Sequence, residues 1–470
     1  MPPPPTPKGV SWIGVVGPGV IVLGLSIGSG EFLLGPAVFV RYGLSLLWIT
    51  GIAVFLQTVF NTELMRYTVA TGEPVFTGFM RTKPSKTFWG WLYATLYFLQ
   101  SGWPGWAGTS AGAVFFLAAQ RVATPEDANV VYLIGVATYL LCVLILAVGR
   151  RIERTLEVLN WILVSCILLG FLALAIAFVP AATWGAGLGG LLGYNTATGS
   201  IALFPAGVDF VLIAALVAYS GAGGCANITL SNWARDKGYG MGERAGYIPA
   251  AIGGTRINLA HSGFIFTPDE EGMRRWRGWW RIIRADQWGV FFVGALLGMV
   301  LPALLYVTFV PAGSDIRGLG IAAELAFNAG DVAGPLIAGL IALLGAWLLF
   351  KTQLDSIDGL VRSVTDMLWT GSARVRQWRG GDVRAVYYTV LAVLVVWGMI
   401  ALRLAQPIAL IVIGANVAAV VFVIASLHLL YVNTRLLPEA LRPPLWRRAA
   451  LLVTAMLYAT FAALSLRAVL

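Results

Sequence analysis

Long apolar runs recur along the whole chain, separated by short polar segments. Eleven approach or exceed the roughly 20 residues that an α-helix needs to cross a bilayer. They are Trp12–Val40, Leu44–Phe60, Phe88–Ala118, Val130–Val148, Leu156–Val179, Phe210–Trp233, Gln287–Val310, Val332–Phe350, Ala385–Leu404, Pro407–Tyr431 and Ala449–Leu466. The period-2 alternation of a transmembrane β-barrel is absent. Two of the runs carry small and polar residues at mid-membrane. The first reads LGLSIGSGEFLLGP, Leu23 to Pro36, and the sixth reads ALVAYSGAGGCANITLSN, Ala215 to Asn232. Each glycine in a helix costs about 1 kcal/mol relative to alanine. Backbone groups freed at that depth are tolerated only against protein or a water-filled cavity. Both runs are therefore expected to unwind near their middles.

Five helices separate the starts of the two interruptions, and an odd offset inverts topology. Discontinuous helices in matching places of two inverted halves are the pattern of secondary transporters with a midplane site. The expected class is an all-α membrane protein with a first repeat over 11–180, a second over 206–432 and a last helix over 446–470. Residues 1–10 read as a disordered cap. The second repeat includes an amphipathic cytoplasmic segment, 255–286, in which Trp276, Trp279 and Trp280 alternate with arginines. It is expected to lie at headgroup depth on anionic lipid.

Composition narrows the class further. The chain is 58% hydrophobic and 11% charged, with mean hydropathy +0.80, too apolar for a soluble domain of 470 residues. The formal charge of +10 reads as topology rather than nucleic-acid binding. Basic residues crowd alternate loops: Arg66, Arg81, Lys83 and Lys86; Arg150, Arg151 and Arg154; Arg256 to Arg284; Arg374 to Arg384; Arg435 to Arg448. The other loops hold only Arg41, Arg121, Arg317 and Arg403, with Arg467 at the far end. This places the N-terminus in the cytoplasm, in a bacterial inner membrane. Three cysteines, all in apolar runs, and two histidines, His261 and His428, leave no haem, redox or catalytic constellation. No enzyme activity and no cofactor is expected.

The first span resembles that of the Nramp family of metal-ion transporters. Gly17-Pro18-Gly19 is followed, at the family's distance from its Asp-Pro-Gly-Asn motif, by Gly28-Ser29-Gly30-Glu31. LQTVFNTELMRYTVATGEPVF in the second span and SIDGLV in the eighth are similar too. The resemblance implies a LeuT-like fold, five helices plus five inverted, with one more. It also marks departures. The family's metal-binding Asp falls on Gly28 and its Asn on Glu31. Its sixth-span carbonyl falls on Gly221, its methionine on Gly224 and its histidine on Ala226, while Asn227 is kept. Without thioether and aspartate ligands the site is poor for manganese or iron.

What remains are two half-helix starts whose amides and dipoles suit an anion. Ser26, Gly28, Ser29, Gly30 and Glu31 from the first span, with Ser220, Gly221, Gly223, Gly224 and Asn227 from the sixth, form the expected substrate site; Thr229, Gln100 and Asn416 are further candidates. The expected cargo is a small inorganic anion, bicarbonate the leading example, moved with Na⁺ or H⁺. The alternative is a divalent cation, Mg²⁺ ahead of Mn²⁺ or Fe²⁺. Glu31 stands to bind the coupling cation, carry a proton or cap the break. In LeuT-like folds, eighth-helix hydroxyls and first-helix carbonyls hold sodium, which marks Glu31, Thr352, Asp355 and Ser356 as coupling-ion candidates. Lys351 and Asp355 are spaced to pair.

Overall fold

The computed structural model describes residues 1–7, 17–28, 30–196, 198–201, 203–205, 207–314, 321–404 and 406–469. The expected start of the first span at Trp12, and Ser29 and Arg317, lie outside these residues. Ten helical stretches among the described residues are long and apolar enough to cross a membrane, and the chain is an integral membrane protein. The expected third span, Phe88–Ala118, is not one helix. It divides into Lys86–Ser101 and Gly105–Ala119 around Gly102-Trp103-Pro104, because proline has no N–H to donate and clashes with the preceding turn. Neither half alone reaches a spanning length.

The breaks expected in the first and sixth spans are present. The first runs Pro18–Ser26, then a widened turn Gly30–Leu34, then Gly35–Tyr42. The sixth runs Phe210–Tyr219, then Gly224–Lys237. The largest boundary error is in the eighth. It continues past Phe350 as one helix, Pro335–Gly371, and nearly every residue from Lys351 to Met367 is buried. The charges that mark a solvated end in sequence are enclosed by protein instead.

They are enclosed as a ladder. Asp358, Arg362 and Asp366 recur every fourth residue on one helix face and meet Arg235 and Asp236 at the end of the sixth span. Arg235 reaches Asp236 and Asp366, each at 2.6 Å. Arg362 donates to both oxygens of Asp358 at 2.9 Å and pairs with Asp236. Trp233 and Tyr387 donate to Asp358 at 2.8 and 2.7 Å, and Asn232 to Asp366 at 2.6 Å. All five charges are at most 3% exposed. Each oxygen that left water has a donor, the condition under which buried charge is tolerated.

The amphipathic segment is a helix over Glu270–Arg284 that runs on, through a widened stretch Ala285–Phe292, into the seventh span, Val293–Phe309. Arg274, Arg277, Arg281 and Arg284 are exposed, but the tryptophans do not reach outward as expected. Trp276 and Trp279 are 5% exposed, and Trp280 lies under the guanidiniums of Arg66 and Arg447. Spaced i, i+3, i+4, the three rings share the face turned to the bundle. Residues 1–7 do not hang free either: Arg275 donates to the Pro4 carbonyl at 3.0 Å and Trp279 to that of Pro5 at 2.8 Å.

Replacing Arg362 by Met leaves Asp358 without a cation and Asp236 with Arg235 alone. Thermal unfolding in detergent is expected to show a loss of about 3–5 kcal/mol. Replacing the exposed Arg154, paired with Glu157, is expected to cost under ~1 kcal/mol.

Candidate functional site

The two breaks touch. A Cβ on Gly30 would lie 1.7 Å from the Tyr219 carbonyl oxygen and 3.3 Å from the Ser220 nitrogen. Only glycine permits this approach of backbone to backbone. Gly28 is confined less severely, with Thr352 Oγ1 2.7 Å from where its Cβ would sit.

Interrupting a helix frees N–H and C=O groups, and their partners can be traced. In the first span, Glu31 folds back over the break. Its carboxylate accepts from the Ser26 hydroxyl and the Gly28 N–H, both at 3.1 Å. The freed carbonyls of Gly24 and Ile27 go to the eighth span: Lys351 Nζ donates to both, at 2.9 Å for Ile27. The Thr352 hydroxyl lies 3.4 Å from each, while its stronger bond runs to Leu348 O at 2.8 Å.

The sixth break is bridged by one residue of the third span. Gln100 donates from Nε2 to the Gly223 carbonyl at 2.8 Å and accepts at Oε1 from the Cys225 N–H at 2.9 Å. Gly223 and Gly224 take φ of +87° and +45°, the left-handed region open to glycine, which turns the chain sharply enough to restart the helix. One amide at each break, that of Gly28 in the first and of Cys225 in the sixth, is thus held by the protein's own oxygens and is not open to an anion.

Several expected residues serve elsewhere. The Ser220 hydroxyl donates to Leu216 O at 2.7 Å within its own helix. Asn227 donates to Asn61 Oδ1 at 2.9 Å, and Thr229 joins Tyr97 and Ser363. Asn416 accepts from Ser465, in the last helix, at 2.8 Å. Asp355 does not pair with Lys351; its Oδ1 accepts from Asn160 of the fifth span at 2.9 Å. Ser356 does stay at the centre. It lines a cavity of about 10 Å³ between the breaks, the room one water centre needs, with Gln100, Ser101, Trp106, Tyr219 and Gly221.

Around the breaks lie buried polar atoms without a protein partner: Gln57 Oε1, Asn227 Oδ1, Trp106 Nε1, Asn160 Oδ1 and Asp355 Oδ2. Native interiors hold few such atoms, and each marks strain, water or a ligand. Gln57, Asn61, Ser101, Trp106, Asn160 and Lys351 were not picked out as site residues by the sequence reading. Their signal is a polar side chain inside an apolar run, with Gln57 and Asn61 at i, i+4 on one helix face. Among the described residues no group of three His, Cys, Asp or Glu side chains is placed to hold a metal ion. His428 is a packed core residue, stacked 4.1 Å from Phe79 and hydrogen-bonded to Thr82 and Tyr93.

No protein-family profile matches the chain, and no curated protein matches it in sequence. Solved structures do match in shape. A mutant of the manganese transporter of Eremococcus coleocola is similar over 98% of this chain and 88% of its own, at 15% identity and TM-score 0.68. MhsT in complex with L-phenylalanine covers 98% and 99%, at 14% identity and TM-score 0.51. Mhp1, a nucleobase-cation-symport-1 family transporter in a closed conformation with bromovinylhydantoin bound, covers 98% and 92%, at 12% identity and TM-score 0.51. Likeness at these identities speaks for architecture alone: the chain has the LeuT fold, with its first and sixth helices discontinuous.

Proposed function

We propose that the chain is a secondary active transporter that moves a small oxyanion by alternating access, coupled to an ion gradient, in a bacterial inner membrane with its N-terminus in the cytoplasm. One observation carries this reading. Two helices interrupted at the same depth meet, Gly30 against Tyr219, beside a small cavity and a set of buried polar atoms that the protein leaves unpartnered. The cavity walls offer the hydroxyls of Ser101 and Ser356 and the unpartnered indole N–H of Trp106, with no carboxylate, imidazole or thioether among them. Neutral donors of this kind suit an acceptor-rich solute and suit a transition metal poorly. Bicarbonate is the test case. The side chains, rather than the half-helix amides, supply the donors.

A divalent cation is the second reading, favoured by the unpartnered oxygens Asn160 Oδ1 and Asp355 Oδ2 beside Gly24. Hard oxygen donors favour Mg²⁺ over Mn²⁺.

Purified protein in liposomes is expected to take up labelled bicarbonate and not Mn²⁺. Saturable Mn²⁺ or Mg²⁺ uptake, with bicarbonate inert, defeats the anion reading. Gly30→Ala forces the breaks apart and is expected to lower uptake at least ~10-fold, the effect of misplacing groups by about 1 Å, with the protein still monodisperse. Gln100→Leu orphans the Cys225 N–H and the Gly223 carbonyl. It is expected to cost about 1–3 kcal/mol in thermal unfolding for each group and to abolish uptake.

A further inference from the structure

The eighth span delivers a positive charge to the place where the sequence reading put a coupling ion. Lys351 is 1% exposed, and its Nζ donates to the carbonyls of Gly24 and Ile27, two of the acceptors released where the first helix stops. Thr352 Oγ1 stands 3.4 Å from both oxygens. Asp355, one turn on, and Glu31, across the break, bring carboxyl groups near the ammonium. Two main-chain carbonyls, a hydroxyl and a nearby carboxylate are the hard oxygen set that a small inorganic cation takes. A lysine ammonium is itself a compact point charge on a flexible stem. Here the stem spans from an unbroken helix to a broken one and fills the set with N–H donors.

We propose that Lys351 is a tethered cation that stands in for a coupling sodium, so that this chain closes its first-helix break without binding Na⁺. The ammonium does what a bound cation would do there. It neutralises the carbonyl ends of Pro18–Ser26, where the helix dipole is negative, and joins the first span to the eighth. Unlike sodium it cannot leave, so the sodium gradient has no hold on the break. On this proposal Glu31, Thr352, Asp355 and Ser356 hold no coupling sodium: Glu31 accepts from Gly28, Thr352 faces the lysine's acceptors, Asp355 Oδ1 accepts from Asn160 and Ser356 lines the cavity. The proposal deepens the transporter reading, but its test measures cation binding and needs no cargo.

Thermal unfolding of the purified full chain is followed in NaCl and in choline chloride at equal ionic strength. The wild type is expected to unfold at the same temperature in both. A sodium-specific rise in the wild type overturns the proposal without any variant. Lys351→Ala removes the stem and leaves the oxygens unfilled. It is expected to unfold lower in choline and to recover roughly 2 °C or more in saturating Na⁺, as a ligand that binds only the folded state stabilises it. Lys351→Met keeps the bulk without the charge and is expected to unfold lower in both salts with no sodium response. A folded Lys351→Ala protein indifferent to Na⁺, or a Lys351→Met protein as stable as the wild type, overturns the proposal. If reconstituted protein then proves to transport nothing, the transporter reading fails while these cation results stand.

Discussion

A helix interrupted inside a bilayer must find partners for its freed backbone groups within the protein, since lipid offers none. That constraint organises the centre of this molecule. Gln100 of the third span closes the sixth break with two hydrogen bonds. Glu31 and Lys351 close the first, one from within the same span and one from the eighth. Each break is thus held in part by a side chain of another helix, and the position of each half-helix depends on the other spans. The close approach of Gly30 to Tyr219 follows, because both backbones are fixed from outside and neither carries bulk at the contact.

Charge is distributed unevenly about this centre. The cavity between the breaks is walled by neutral groups. The half of the bundle toward the end of the sixth and eighth spans holds the ladder from Asp366 through Arg235, Asp236 and Arg362 to Asp358. Buried pairs of this sort add little net stability but are costly to separate singly. A neutral centre thus sits beside a charged flank in which each oxygen of the ladder is paired.

Shared architecture does not carry shared chemistry. The backbone of this chain follows that of a manganese transporter over nearly its whole length. Yet Gly28 stands where the resemblance places a metal-binding aspartate, and Gly224 where it places a methionine. The freed carbonyls of Gly24 and Ile27, near Gly28, are occupied by an ammonium. Function resides in the side chains set on a fold, and here those differ at the positions that matter most for a metal.

The chain's own pattern determined much. Apolar length marks the spans, because a bilayer imposes it. Clustered Gly and Ser mark the two breaks, because a helix loses most there. The resemblance at Gly17-Pro18-Gly19 and Gly28 to Glu31 pointed to the fold. The third break was legible in Gly102-Trp103-Pro104 but was hidden by the apolar residues on both sides. What pattern does not hold is the choice among partners distant in sequence. Lys351 beside Asp355 reads locally as an i, i+4 pair, and only packing of the eighth span on the first shows that the lysine turns to Gly24 and Ile27. Arg362 and Asp366 lie beyond the expected end of the eighth span at Phe350, and only the folded bundle sets Arg235 and Asp236 against them. Glu31 and Gln100 read as ligands for cargo until the amides of Gly28 and Cys225 are found in their grip. Hydropathy is a property of each segment and survives in one dimension; hydrogen-bond partnership belongs to pairs, and the bundle decides it.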